Sequence, residues 1–247
     1  MRSKSIGVIL SVMIGIAAIG LVMASNLVQD SPDKSAGSLD TVNLLLGNKE
    51  NVLVIDIRTP EQYQAGHLKG ASHDVLDSAT IEKRVNTMQS KLPDVAAEYN
   101  LVLVDNDGVR AKQVAQTMTD MGIQTFYLDG GMRDMTENLV TSSQSRISSK
   151  ELSYMLESED LYLLDVRQPE ELAESKIDGA VNIPLADIFQ PNGMASIPTD
   201  KPVVVICGSG NRATIASYAL AQEGIDFRIL EGGMASWDSQ IPEEKDM

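Results

Sequence analysis

Residues 203–212 read VVVICGSGNR, and this stretch decides the fold. Four β-branched residues in a row, Val203 to Ile206, show no polar alternation. That pattern belongs to a strand buried on both faces, as in a parallel sheet. A glycine-bearing loop follows, and residues 212–223 have helical periodicity. Cys207 therefore sits at the carboxyl end of a buried strand, where open α/β sheets bind ligands. Gly208 and Gly210 let the loop curl with its amides turned inward. Such a nest at a helix N-terminus binds anions and favours the thiolate form of a cysteine held in it. Cys207 is the candidate nucleophile. Gly208, Ser209, Gly210, Asn211 and Arg212 are the candidate substrate-binding residues, with Arg212 supplying a positive charge. Nothing in this chemistry requires a cofactor.

Outward from this stretch the chain repeats itself. NVLVIDIRTPEQYQAGHLKGA from Asn51 matches DLYLLDVRQPEELAESKIDGA from Asp160 at an offset of 109. LVLVDNDGVRA from Leu101 matches VVVICGSGNRA, and LDGGM from Leu128 matches LEGGM from Leu230, both at an offset of 102. The first unit thus has seven more residues between its matched blocks, in the helical stretch from Ile81 to Tyr99. Matches this dense, in one order, indicate duplication. The expected fold class is α/β: two tandem domains, each a small parallel sheet flanked by helices. The expected layout is an N-terminal segment at 1–25, a linker at 26–37, a first domain at 38–138, a linker at 139–147 and a second domain at 148–247. Within the second domain Ser148 and Glu151 form a capping box that starts a helix. Residues 161–166 and 227–230 read as strands, and Pro169 opens a helical turn.

Asp-x-Arg-x-Pro-Glu-Glu (165–171), Gly-Ala-x-Asn-Ile-Pro (179–184), Cys-x-x-Gly-x-Arg (207–212) and Glu-Gly-Gly-Met-x-x-Trp (231–237) together resemble the rhodanese family. The resemblance covers the second domain entirely and the first nearly as widely. It implies sulfurtransferase chemistry: the Cys207 thiolate takes a sulfane sulfur from thiosulfate, a persulfide or mercaptopyruvate, then passes it to a thiol, cyanide or a protein acceptor. The first domain departs from the pattern where it matters, since Asp105 replaces the cysteine. A carboxylate forms no persulfide, so this domain is expected to be silent. Arg167 is read either as lining the pocket mouth for an anionic donor or as fixing neighbouring loops; its counterpart Arg58 survives in the silent half. Trp237 is read as packing, and Gly232-Gly233 as a tight turn.

Composition narrows the alternatives. The net charge is −15 and all 35 acidic residues follow the first apolar run, so the surface repels nucleic acid. One cysteine excludes an intramolecular disulfide, and Cys207 with only His67 and His73 makes no zinc cage. Both histidines lie in the silent half, against a Cys–His pair. Residues 6–23 carry no charge and, as a helix of about 27 Å, match a bilayer core. Arg2 and Lys4 precede them, so both domains are expected outside the cytoplasm, tethered to the membrane or released by cleavage near Ala24. Two rival functions remain. A phosphatase or arsenate reductase uses Cys-x5-Arg, whereas four residues separate Cys207 from Arg212 here. A non-catalytic binding module is the other rival.

Overall fold

The structure is a computed structural model that describes residues 36–37, 51–133, 135, 139–142 and 144–239. Among these residues no helix is long and apolar enough to cross a membrane. The apolar run at 6–23, on which the expected membrane segment falls, lies outside them.

The first unit contains β1 (Ala36–Gly37), β2 (Val52–Asp56), α1 (Pro60–Ala65), β3 (His67–Leu68), β4 (Ala71–His73), α2 (Ser78–Lys91), α3 (Pro93–Glu98), β5 (Asn100–Val104), α4 (Val109–Asp120) and β6 (Thr125–Leu128). After β7 (Leu139–Val140) the second unit contains β8 (Ser145–Ile147), α5 (Ser149–Ser158), β9 (Tyr162–Asp165), a 3-10 turn (Pro169–Ala173), β10 (Val181–Asn182), α6 (Leu185–Ile188), β11 (Val203–Ile206), α7 (Asn211–Gln222), β12 (Phe227–Leu230) and α8 (Gly233–Asp238). Two five-stranded sheets result, ordered β4-β2-β5-β6-β1 and β10-β9-β11-β12-β8, and every pairing in both is parallel. The two orders are the same order, so the duplication seen in sequence is a duplication of topology.

Three differences from the sequence reading have simple causes. Ala36–Gly37, expected in a linker, pair with β6 as an edge strand. Residues 139–147, also expected as a linker, hold β7, which pairs antiparallel with β3, and β8, which edges the second sheet. Edge strands are short, two residues in β1 and β7 and three in β8, and of Ser145-Arg146-Ile147 in β8 only Ile147 is buried, so no apolar run marks them. The helical turn opened by Pro169 is 3-10 rather than α.

The central strands bury both faces. Val203 and Val205 join one apolar cluster while Val204 and Ile206 join another, as the alternation of side chains along a strand requires. The larger cluster runs on without a break into the first unit, through Leu53, Ile55, Val85 and Met88. The cause is α7. Its counterpart α4 buries one stripe, Ala111, Val114, Ala115 and Met118, whereas α7 is buried at every position from Ala213 to Ala221. Most of these residues are apolar, and the polar ones, Thr214, Ser217 and Tyr218, have hydrogen-bond partners, so the helix can be enclosed on all sides. Ser217 Oγ lies 2.8 Å from Ser72 Oγ on β4, and Tyr218 donates to Asp74 at 2.6 Å. The helix that starts at the cysteine loop is thus also the seam between the units.

Candidate active site

β9 and β11 pair through Leu164↔Val205 and Asp165↔Ile206, so their carboxyl ends lie side by side. From β9 the chain crosses to β10 on one flank, and β11 opens the other flank. The crevice between β9 and β11 is therefore the topological switch point, where α/β sheets place ligands. Residues 207–212 leave β11 there, and residues 166–171 leave β9 beside them.

Cys207 is buried. Its Sγ accepts the Gly210 N–H at 3.1 Å and the Ala213 N–H at 3.4 Å. Gly210 takes φ +89 to start α7 and turn these amides inward, a left-handed conformation that glycine adopts without penalty. The loop is held from below by the turn after β12. Met234 N–H donates to the Cys207 carbonyl at 2.8 Å, and Ala235 N–H to the Gly208 carbonyl at 3.0 Å. The approach is so close that a Cβ on Gly233 would collide with the Cys207 carbonyl oxygen.

The first unit holds the same cradle already filled. Asp105 stands at the position of Cys207, and its carboxylate accepts the N–H groups of Gly108 at 2.5 Å, Asp107 at 3.2 Å and Ala111 at 3.0 Å. Gly108 and Ala111 are the repeat partners of Gly210 and Ala213. A fixed anion therefore satisfies the amides that, in the second unit, face sulfur.

Arg212 stands at the mouth of the loop and binds Glu171 through both terminal nitrogens, at 2.5 and 2.7 Å. Arg212 lowers the Glu171 carboxyl to about 2, mainly by hydrogen bonding it. The carboxylate in turn raises Arg212, so both stay charged. The first unit has Gln62 in the place of Glu171, and there Arg110 donates instead to the carbonyls of Ile57 and Leu76. Glu171 had no role in the sequence reading. Its signal was the mismatch between repeats: where the cysteine is lost, the acid is lost too.

The other sequence candidates fall in distinct places. Arg167 is buried, and its guanidinium is taken up by both Asp165 oxygens and by the carbonyls of Glu171 and Ser175. This is the loop-fixing geometry, and Arg58 repeats it with Asp56 and the Gly66 carbonyl. Gly208 borders the ion pair, since a Cβ there would meet Arg212 Nη2 at 3.2 Å. Ser209, Gly210 and Asn211 line a cleft of about 640 Å³ shared with Lys83, Arg84 and Val75 of the first unit. The Asn211 side chain is held by α2: its amide donates to Thr87 Oγ1 at 2.6 Å, and its oxygen accepts from Arg84. Neither Thr87 nor Arg84 carried any sequence signal for this contact, because Asn211 lies more than a hundred residues away. Trp237 packs against the cluster formed by Ile147, Leu163 and Met234.

The rhodanese-like domain family model matches residues 38–138 and 148–240. A putative sulfurtransferase YtwF from Bacillus subtilis is 40% identical over 95 residues, covering 38% of this chain and 90% of that protein. A protein named thiosulfate sulfurtransferase GlpE from Shewanella oneidensis is 30% identical over 97 residues, covering 39% of this chain and 94% of its own. Among solved structures, a rhodanese-related protein from Thermoplasma volcanium is 31% identical, covers 39% of this chain and 93% of its own, and has a TM-score of 0.36.

Proposed function

This chain belongs to the rhodanese-like domain family, and on that premise we propose that its second domain is a sulfurtransferase that carries sulfane sulfur on Cys207. The observation that carries the reading is the pair of matched cradles. The amides that hold the Asp105 carboxylate have their counterparts around Cys207 Sγ, so the loop has the donors an anionic sulfur needs. In the first half-reaction the thiolate attacks the outer sulfur of thiosulfate. The sulfur–sulfur bond of the donor breaks, and sulfite leaves with the bonding pair. Cys207 is left as a persulfide anion, its charge facing the loop amides. In the second half-reaction cyanide or a thiolate attacks the terminal sulfur. The new bond forms as the persulfide bond breaks, which returns the Cys207 thiolate. A persulfide or mercaptopyruvate donor would enter the same cycle.

The four-residue spacing to Arg212, and the engagement of Arg212 by Glu171, disfavour a phosphatase, which needs its arginine free for a tetrahedral oxyanion. The first domain, with its cradle filled by its own side chain, is proposed to be silent. We place both domains outside the cytoplasm; the uncharged run at 6–23 behind Arg2 and Lys4 supports this.

A thiosulfate–cyanide assay tests the reading. The full chain is expected to release thiocyanate with ping-pong kinetics, and Cys207→Ser to release none above the uncatalysed rate. Equal release by the two proteins would leave the binding-module reading in its place.

A further inference from the structure

We propose that the silent first domain positions the cysteine loop of the second, through Arg84 and Thr87 acting on Asn211. The inference rests on Cys207 being the reacting group, as proposed above.

Asn211 is the first residue of α7, directly after Gly210, whose N–H reaches Cys207 Sγ. Its carboxamide has little freedom. Arg84 donates to its oxygen, and its nitrogen donates to Thr87 Oγ1 at 2.6 Å. Arg84 is itself fixed. Asp74 takes its Nε–H at 2.7 Å and its Nη2–H at 3.1 Å, in a site where both side chains are buried. Tyr218, further along α7, donates to the same Asp74 carboxylate. The network thus grips α7 at two points, its first residue and its centre, from α2 and from the segment after β4. A shift of α7 along its axis would break both grips, and the Gly210 and Ala213 amides would move with it.

Two features make this specific to the reactive loop. The first is the repeat itself. The position of Asn211 is Val109 in the silent unit, where it stands 59% exposed. The second is the seven-residue surplus of the first unit. It falls in the stretch that forms α2 and α3, where the second unit has only the four-residue α6 and a turn. The element by which the silent domain exceeds its twin is the element that reaches the cysteine loop. Arg84 and Thr87 do not touch the sulfur; they act through Asn211 and are positioning residues.

Cys207 is the only cysteine, so iodoacetamide alkylation reads its thiolate without interference. The alkylation rate would be followed against pH in the full chain and in Thr87→Val, Thr87→Ser and Arg84→Lys, together with kcat and KM for thiosulfate. Thr87→Val keeps the shape of the helix and is expected to melt near the parent. It should lower the alkylation rate near neutral pH roughly three- to tenfold, the scale of one lost hydrogen bond, by moving the profile to higher pH. Thr87→Ser should restore the parent profile, and kcat should fall more than KM rises. If Arg84→Lys fails to fold, the Thr87 pair decides. A Thr87→Val profile that superposes on the parent in a folded protein overturns the proposal. A shifted profile in a chain that takes no sulfur from any donor would uphold it while removing the sulfurtransferase reading.

Discussion

Glu171 and Arg212 meet at the mouth of the loop with two short hydrogen bonds, and both are partly open to water. Pairing depresses the folded-state carboxyl of Glu171 to about 2 from an ordinary 4.5. A depressed acid contributes stability that is present above its unfolded pKa and lost as pH falls through its folded one. The contribution of this pair is therefore complete above about pH 4.5 and fades towards pH 2. With the Glu171 side chain 37% exposed, solvent screening limits it to about 0.2–1 kcal/mol. Urea unfolding of Glu171→Gln should show that deficit at pH 6 and almost none at pH 2. A deficit of equal size at both would mean that the carboxylate's charge is not what holds the pair. At the same scale, Asp105 shows how a domain can have a carboxylate where its twin has Cys207 and keep its loop. The carboxylate accepts three amides that would otherwise lack partners, so the loop is held without a cysteine.

Among the elements, the turn between β12 and α8 matters more than its length suggests. Gly233 has φ +59, and its backbone passes under Cys207 so closely that a methyl group has no space. Gly224 supplies a control, since it has φ +72 and a Cβ added there would meet nothing within 4 Å. Gly224→Ala should cost about 1–2 kcal/mol, the left-handed backbone alone. Gly233→Ala should cost clearly more and slow Cys207 alkylation as well. Equal costs in urea unfolding would show that the turn does not support the loop. Much at this scale is legible in the sequence. Val203 to Ile206, the Gly-x-Gly loop and the Ser148 capping box each follow a local rule and each appears in the structure. The short edge strands are not legible, because a strand with one wet flank has little reason to be apolar. The outer face of α7 does carry a signal, visible only when the repeats are compared position by position. Gln113 and Gln116, exposed on α4, become Ile215 and Tyr218 on α7, a change that accompanies a buried second face. Nothing local marks the Asp74–Tyr218 or Arg84–Asn211 contacts, since their partners are brought together only by the docking of the two units.

For the whole molecule, the shared core has a thermodynamic consequence. One apolar cluster spans both sheets, and Tyr218, wholly within it, binds the Asp74–Arg84 pair of the other unit. Neither unit can open along this seam without exposing α7, so the two are expected to unfold together. A calorimetric scan of the full chain should give one transition whose calorimetric and van't Hoff enthalpies agree. Two resolved transitions would mean that the units are independent and that the first domain is no more than a neighbour.

In the proposed cycle one sulfur atom rides on Cys207 and none on the first domain. Intact-mass spectrometry after treatment with thiosulfate tests it most directly. A gain of about 32 Da is expected, the mass of a single added sulfur. That gain should be removed by cyanide and absent from Cys207→Ser. An unchanged mass after thiosulfate, mercaptopyruvate and a glutathione persulfide in turn would contradict it.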